Sequence, residues 1–207
     1  MAGSWSYLAP DASSQSEVKE QGSRFIAHIA PAASPGEAMA FLESLRKRYH
    51  DATHHCWAYR IGWGEDLEFR FSDDGEPGHT AGEPIFRSLE ERGVSDACLV
   101  VVRYFGGVKL GTGGLARAYR SAARQAIDEA LLATRVLTEA WDISLPYGAQ
   151  GSLRHAAAGL GVNLGEQTFG EEVTIAARVP REVSEAFGRR LARLCEEWKG
   201  AVTWKSK

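Results

Sequence analysis

A chain of 207 residues, 44% of them apolar, has material for one large core or two small ones. Its 24 Lys and Arg against 27 Asp and Glu leave a formal charge of -3, which excludes a protein whose whole surface grips nucleic acid and confines any polyanion site to a local patch. The longest apolar run, ACLVVV at 97–102, is far short of the roughly 20 residues of a membrane helix, and residues 1–16 lack the segments of a signal peptide, so the chain is expected in the cytoplasm with no membrane partner.

Residues 1–16 are rich in Ser and Ala without periodicity and are expected to form a flexible tail. SRFIAHIA reads as a strand. The stretch SPGE at 34–37 is a capping box with Pro35 at the first helical position, opening a helix that runs to about Tyr49. HHCWAYRIG and LEFRFS are aromatic and branched runs flanking WGED, a hairpin pattern. The loop DDGEPGHTAGEP, a short helix to Glu91 stopped by Gly93, and the strand ACLVVVRYF follow, and then a long helix from about Gly113 to Ala133.

From Arg135 the pattern restarts: strand VLTEAWDISL, helix GAQGSLRHAAAGLG, strands VNLGEQTF and EVTIAARV, a helix opened by Pro180, and a last strand AVTW. This β-α-β-β-α-β order is that of the ferredoxin-like sandwich. The fold class is therefore α+β, with two domains spanning 17–134 and 135–207. The cysteines Cys56, Cys98 and Cys195 form no CxxC pair and read as reduced core thiols. His54 and Cys56 share a strand face without a third ligand at zinc spacing.

The most unusual stretch is RYFGGVKLGTGGLARAYRSAAR at 103–124, glycine-rich, carrying five cations and no acid. A strand, a glycine turn and a helix start favour anions, because the first N–H groups of a helix lack partners and carry partial positive charge. The loop lacks the lysine that a Walker loop needs before Thr112, and Asp142 lies too far downstream for a dinucleotide fold. No motif calls for a cofactor. Arg117, Arg120 and Arg124 line one helix face opposite the apolar stripe of Leu115, Ala118, Tyr119, Ala122 and Ala126. Cations in the first turns of a helix cost ~0.3–1 kcal/mol each, so an anion should offset them. It is the acid-rich segment from Glu65 to Glu76, an external phosphate or RNA backbone, or an acidic protein surface. The candidate anion-binding set is Arg103, Gly106, Gly107, Lys109, Gly111, Gly113, Gly114, Arg117, Arg120 and Arg124, with Tyr104, Phe105 and Tyr119 as stacking candidates. Asp73, Asp74 and Glu76 with His79 form a possible metal or acid–base loop, against which stands the opposite pointing of adjacent side chains on an extended chain. Turn-forming and capping roles explain the same residues equally well.

The blocks DATHHCWAYRIG, SDDGEPGHTAGEPI and VVVRYFGGVKLGTGGLARAY, in this order, closely resemble the signatures of the IMPACT/YigZ family (UPF0029) over roughly Glu17 to Trp204. The resemblance implies a ribosomal-protein-type, second-domain-like βαβ fold for the N-terminal domain, shared with domain four of elongation factor G and with GHMP kinases. For the C-terminal unit it implies similarity to the last domain of elongation factor G. Eukaryotic relatives regulate translation by competing for the activator of an amino-acid-starvation kinase, using an additional partner-binding domain, and bacterial relatives are viewed as nucleic-acid or nucleotide binders. The function expected from the resemblance is a non-enzymatic, RNA- or ribosome-associated regulator of translation with a possible protein partner. The alternatives are a phosphate-handling, GHMP-kinase-like enzyme and an adaptor for an acidic protein. One departure stands out: Gly78 and His79 replace the Ser and Gly of the family's GEPSGTAG, placing an imidazole beside the acidic loop.

Overall fold

A computed structural model of the chain describes residues 5–206, and these form two units: Tyr7–Arg135, and residues 136–206 together with Trp5 and Ser6. The expected tail is ordered where it is described. Ser6–Pro10 is strand β1 and Ser14–Glu20 is strand β2, while residues 1–4 of that expectation lie outside the described residues. β1 exists through a distant partner, β7 (Leu132–Val136), whereas β2 forms a tight hairpin with β3 (Ser23–Pro31) across Gln21 and Gly22. Leu8 adds a parallel bridge to Val94, and the Tyr7 ring stacks on Trp63 while its hydroxyl donates to Asp96.

The larger unit is built on an antiparallel sheet of order β2-β3-β6-β4-β5, with β4 at His54–Ile61, β5 at Glu68–Ser72 and β6 at Ala97–Tyr104. Helix α1 (Pro35–Arg48) covers one face and α2 (Gly82–Glu91) and α3 (Gly111–Glu129) the other. The strand period of two splits β3 accordingly: Phe25, Ala27 and Ile29 pack toward α2 and α3, and Ile26 toward α1. β6 is central and covered on both faces, which is why it reads as an unbroken apolar run. The capping box forms at α1, where Ser34 Oγ accepts from Glu37 N at 3.2 Å, but Glu37 reaches one residue further back than the motif requires and accepts from Ala33 N at 3.0 Å.

α3 starts two residues before Gly113 and ends at Glu129, short of Ala133, because Ala130 turns extended and the chain continues into β7. In the smaller unit, β8 (Thr138–Leu145), α4 (Gln150–Ala157), β9 (Asn163–Phe169), β10 (Val173–Pro180), α5 (Ser184–Glu197) and β11 (Thr203–Ser206) make a four-stranded antiparallel sheet of order β11-β8-β10-β9. This is the ferredoxin-like arrangement, with Ile143, Leu145, Ile175 and Val179 packed against Leu153, Phe187 and Leu191. Pro180 closes β10 rather than opening the helix; a short turn over Arg181–Val183 intervenes, fixed by Ser184 Oγ donating to Arg181 O at 3.0 Å.

Candidate functional site

The acidic loop is occupied by its own protein. Asp74 and Gly75 both take left-handed backbone (φ 46° and 88°), and Glu76 N donates to Asp73 O at 2.9 Å, a tight turn of the kind an Asp-Gly pair favours. Asp73 spends its carboxylate on the start of α2: one oxygen accepts from Ala81 N (2.9 Å) and Gly82 N (2.8 Å), the other from His79 N (2.9 Å). It thus caps a helix whose own N-cap residue, Ala81, has no capping side chain. Asp74 accepts from Arg46 Nη2 at 2.9 Å and from His55 N at 2.7 Å. His79 is exposed, with Nδ1 3.0 Å from Glu83 Oε2. The four residues therefore do not converge, and among the described residues no group of three or more His, Cys, Asp or Glu side chains is arranged to hold a metal ion.

Glu76 leaves the turn for the interior. Its Oε1 accepts from Arg103 Nη1 at 2.6 Å and from Tyr119 OH at 2.7 Å, with His54 Nε2 3.9 Å away. Cys56 Sγ lies 3.3 Å from Tyr119 OH and 3.0 Å from Asp73 O. Burial pushes the Cys56 thiol and the Tyr119 hydroxyl well above their ordinary ranges, so both stay protonated as donors. Arg103 is correspondingly removed from the external anion set: it is buried between the Phe25 and Phe105 rings, 5.4 and 5.6 Å from their centroids. The sequence signal for this was present, since Leu99, Val101 and Arg103 alternate onto the same core-facing side of β6. Tyr119 is likewise a core residue, and Tyr104 donates its hydroxyl to Asp51 at 2.8 Å.

The glycine loop divides into a fixed root and an open tip. At the root, Gly106 N donates to Ser23 Oγ at 3.2 Å, and a Cβ on Gly106 would stand 1.9 Å from the carbonyl carbon of Gly22. Glycine there is required by backbone packing, which corrects its assignment to a ligand. At the tip, Gly107 and Gly111 have positive φ (89° and 69°) and open space around them. Among the described residues the amides of Gly107, Val108, Lys109 and Leu110 have no protein acceptor. α3 then begins without a capping side chain or an acid in its first turn. Arg117 points back over that turn, its Nη1 3.5 Å from where a Gly113 Cβ would lie, and neither Arg117 nor Lys109 has an ion-pair partner among the described residues.

The rest of the arginine stripe is paired. Arg120 and Arg124 both donate to Glu91 at the end of α2, Arg124 at 2.7 Å. These two guanidinium groups hold the Glu91 carboxyl below its ordinary range, the Arg124 hydrogen bond contributing most. These two arginines are thus answered by Glu91, which lies outside the acid-rich segment that was one of the alternative partners. Between α2 and α3 lies a groove of about 240 Å³ lined by His79, Glu83, Arg87, Ala116, Arg117 and Arg120.

Comparison with known proteins adds to this geometry. The model of the Impact N-terminal domain matches residues 21–127. IMPACT family member YvyE of Bacillus subtilis is 33% identical over 189 residues, covering 91% of this chain and 87% of its own. IMPACT family member YigZ of Escherichia coli is 44% identical over 125 residues, 60% of each chain. A crystal structure described only as that of a hypothetical protein superposes with a TM-score of 0.67 at 30% identity, covering 98% of this chain and 97% of the other.

Proposed function

This chain belongs to the IMPACT family, and we propose that it acts in translation as a non-enzymatic protein that holds the phosphate backbone of RNA, free or on the ribosome, at the glycine loop. The observation that carries this reading is the coincidence, at one end of one helix, of four loop amides and two cations, Lys109 and Arg117, without partners among the described residues, and of an α3 with no capping side chain. Backbone N–H groups at a helix start complement a phosphate, and a cation reaching back over the first turn completes the cradle. The translational setting rests on the family resemblance.

The kinase-like alternative needs carboxylates free to hold Mg²⁺, and Asp73, Asp74 and Glu76 each have separate protein donors, so no observation favours it. The test is an amide NMR titration with inorganic phosphate and then with a short oligoribonucleotide. Shifts concentrated at residues 107–113 support the reading. Saturating RNA with no shift there, or shifts confined to the smaller unit, removes it.

A further inference from the structure

We propose that the loop selects single-stranded over double-stranded RNA by stacking an unpaired base on Phe105, an inference that rests on the phosphate-binding reading above. Phe105, the first residue after the buried central strand β6, is 47% exposed, and Val108, 51% exposed, stands on the same loop. Of the three aromatic candidates along this segment, Tyr119 is sealed in the core and Tyr104 is engaged with Asp51, so Phe105 alone presents an open ring.

The ring is also rooted. Its own amide donates to Thr53 Oγ1 at 3.1 Å, and the next amide, of Gly106, donates to Ser23 Oγ. Behind it lies the Arg103 guanidinium, 5.6 Å from the ring centroid and fixed in turn by Glu76 at 2.6 Å. A platform held in this way loses little freedom when a base settles on it. Charge complementarity names the occupant. Lys109 stands on the same loop and Arg117 reaches back over the first turn of α3, neither with an ion-pair partner among the described residues, and no acid occurs between Arg103 and Arg124, so an anionic chain bearing flat apolar groups fits this segment. In a duplex the base faces are covered by their neighbours, whereas an unpaired base has a free face to give.

Fluorescence anisotropy of a labelled unstructured 12-nucleotide RNA and of a labelled RNA duplex tests this with the full chain and its Phe105→Ala, Phe105→Trp and Arg117→Ala variants. The expected result is that Phe105→Ala weakens single-strand binding about 5- to 100-fold with an unchanged salt slope and unchanged duplex binding, that Phe105→Trp keeps the affinity, and that Arg117→Ala weakens both RNAs. Equal losses on single strand and duplex, or no loss on either, overturn base stacking while leaving phosphate binding in place. If neither RNA binds at low salt, the phosphate-binding reading and the stacking fall together. Anionic vesicles that bind in a Phe105-dependent way while RNA does not would assign the loop to a lipid surface and overturn both.

Discussion

Arg103 donates to Glu76 Oε1 at 2.6 Å with the two side chains only 6% and 4% exposed, so a full ion pair spans the interior between β6 and the acidic turn. Such a pair adds little net stability but is costly to break, because the surviving charge is left without a partner away from water. Glu76→Gln should therefore destabilise the larger unit by about 3 kcal/mol or more, lowering its unfolding midpoint by roughly 10 °C. Replacing both partners together by Glu76→Leu and Arg103→Met should recover much of the loss. A melting curve of Glu76→Gln that overlays the parent would contradict this account.

Acid sensitivity should trace in part to His28. It is buried on the α1 face of β3, its Nε2 has no partner, and Arg48 from α1 and the Tyr49 ring face it; burial first and Arg48 second bring its pKa down to about 4. The unfolded chain binds a proton near pH 6.5 that the folded chain refuses until about pH 4. The contribution of His28 is thus complete above pH 6.5 and fades as the pH falls toward 4, about 3 kcal/mol in all. His55 shifts in the same direction, also chiefly through burial. Urea unfolding at pH 7 and pH 5 checks the point: His28→Gln should flatten the difference between the two, and an equally steep dependence in the variant would assign it elsewhere.

His79 holds left-handed backbone (φ 63°) while exposed to solvent, its ring in a surface contact with Glu83. A residue with a Cβ is strained there, and the surface pair offsets little. His79→Gly should stabilise the larger unit by roughly 0.5–1 kcal/mol, read as a higher urea midpoint at unchanged slope. A lower midpoint would mean that the imidazole holds the loop more firmly than the backbone resists it.

Glu91 sequesters two arginines of the α3 stripe, so Arg117, Arg120 and Arg124 should not contribute alike. In RNA titrations across salt concentrations, Arg117→Ala should make the log–log slope shallower by ~0.7, and Arg120→Ala by less. Glu91→Gln should steepen the slope and tighten binding by freeing both guanidinium groups. Should Arg120→Ala cost as much as Arg117→Ala, the Glu91 pair opens freely in solution.

The elements legible in the sequence are those whose signals are local: the capping box at Ser34, the hairpin of β4 and β5, the amphipathic stripe of α3 and the β-α-β-β-α-β order after Arg135. β1 stayed hidden because its partners, β7 and the segment around Val94, lie far along the chain, and Pro180 misled because its fixed φ suits a strand end as well as a helix start. In the site, the glycine loop and its cations were visible as composition. The division between exposed Lys109 and Arg117 and buried Arg103 was not, although counting by twos along β6 from Leu99 exposes it. That Glu76 would be the buried partner depends on a turn that redirects one carboxylate of three, and charge spacing carries no trace of it.

The backbone contact between Gly22 and Gly106, reinforced by Ser23 Oγ accepting from Gly106 N, rivets the β2–β3 turn to the root of the loop. Neither segment can be displaced without the other, and β2 is the outermost strand of its sheet, with one edge unpaired. A side chain added at either glycine would meet the other segment's backbone, so the β2–β3 turn and the root of the loop can change in sequence only as a pair.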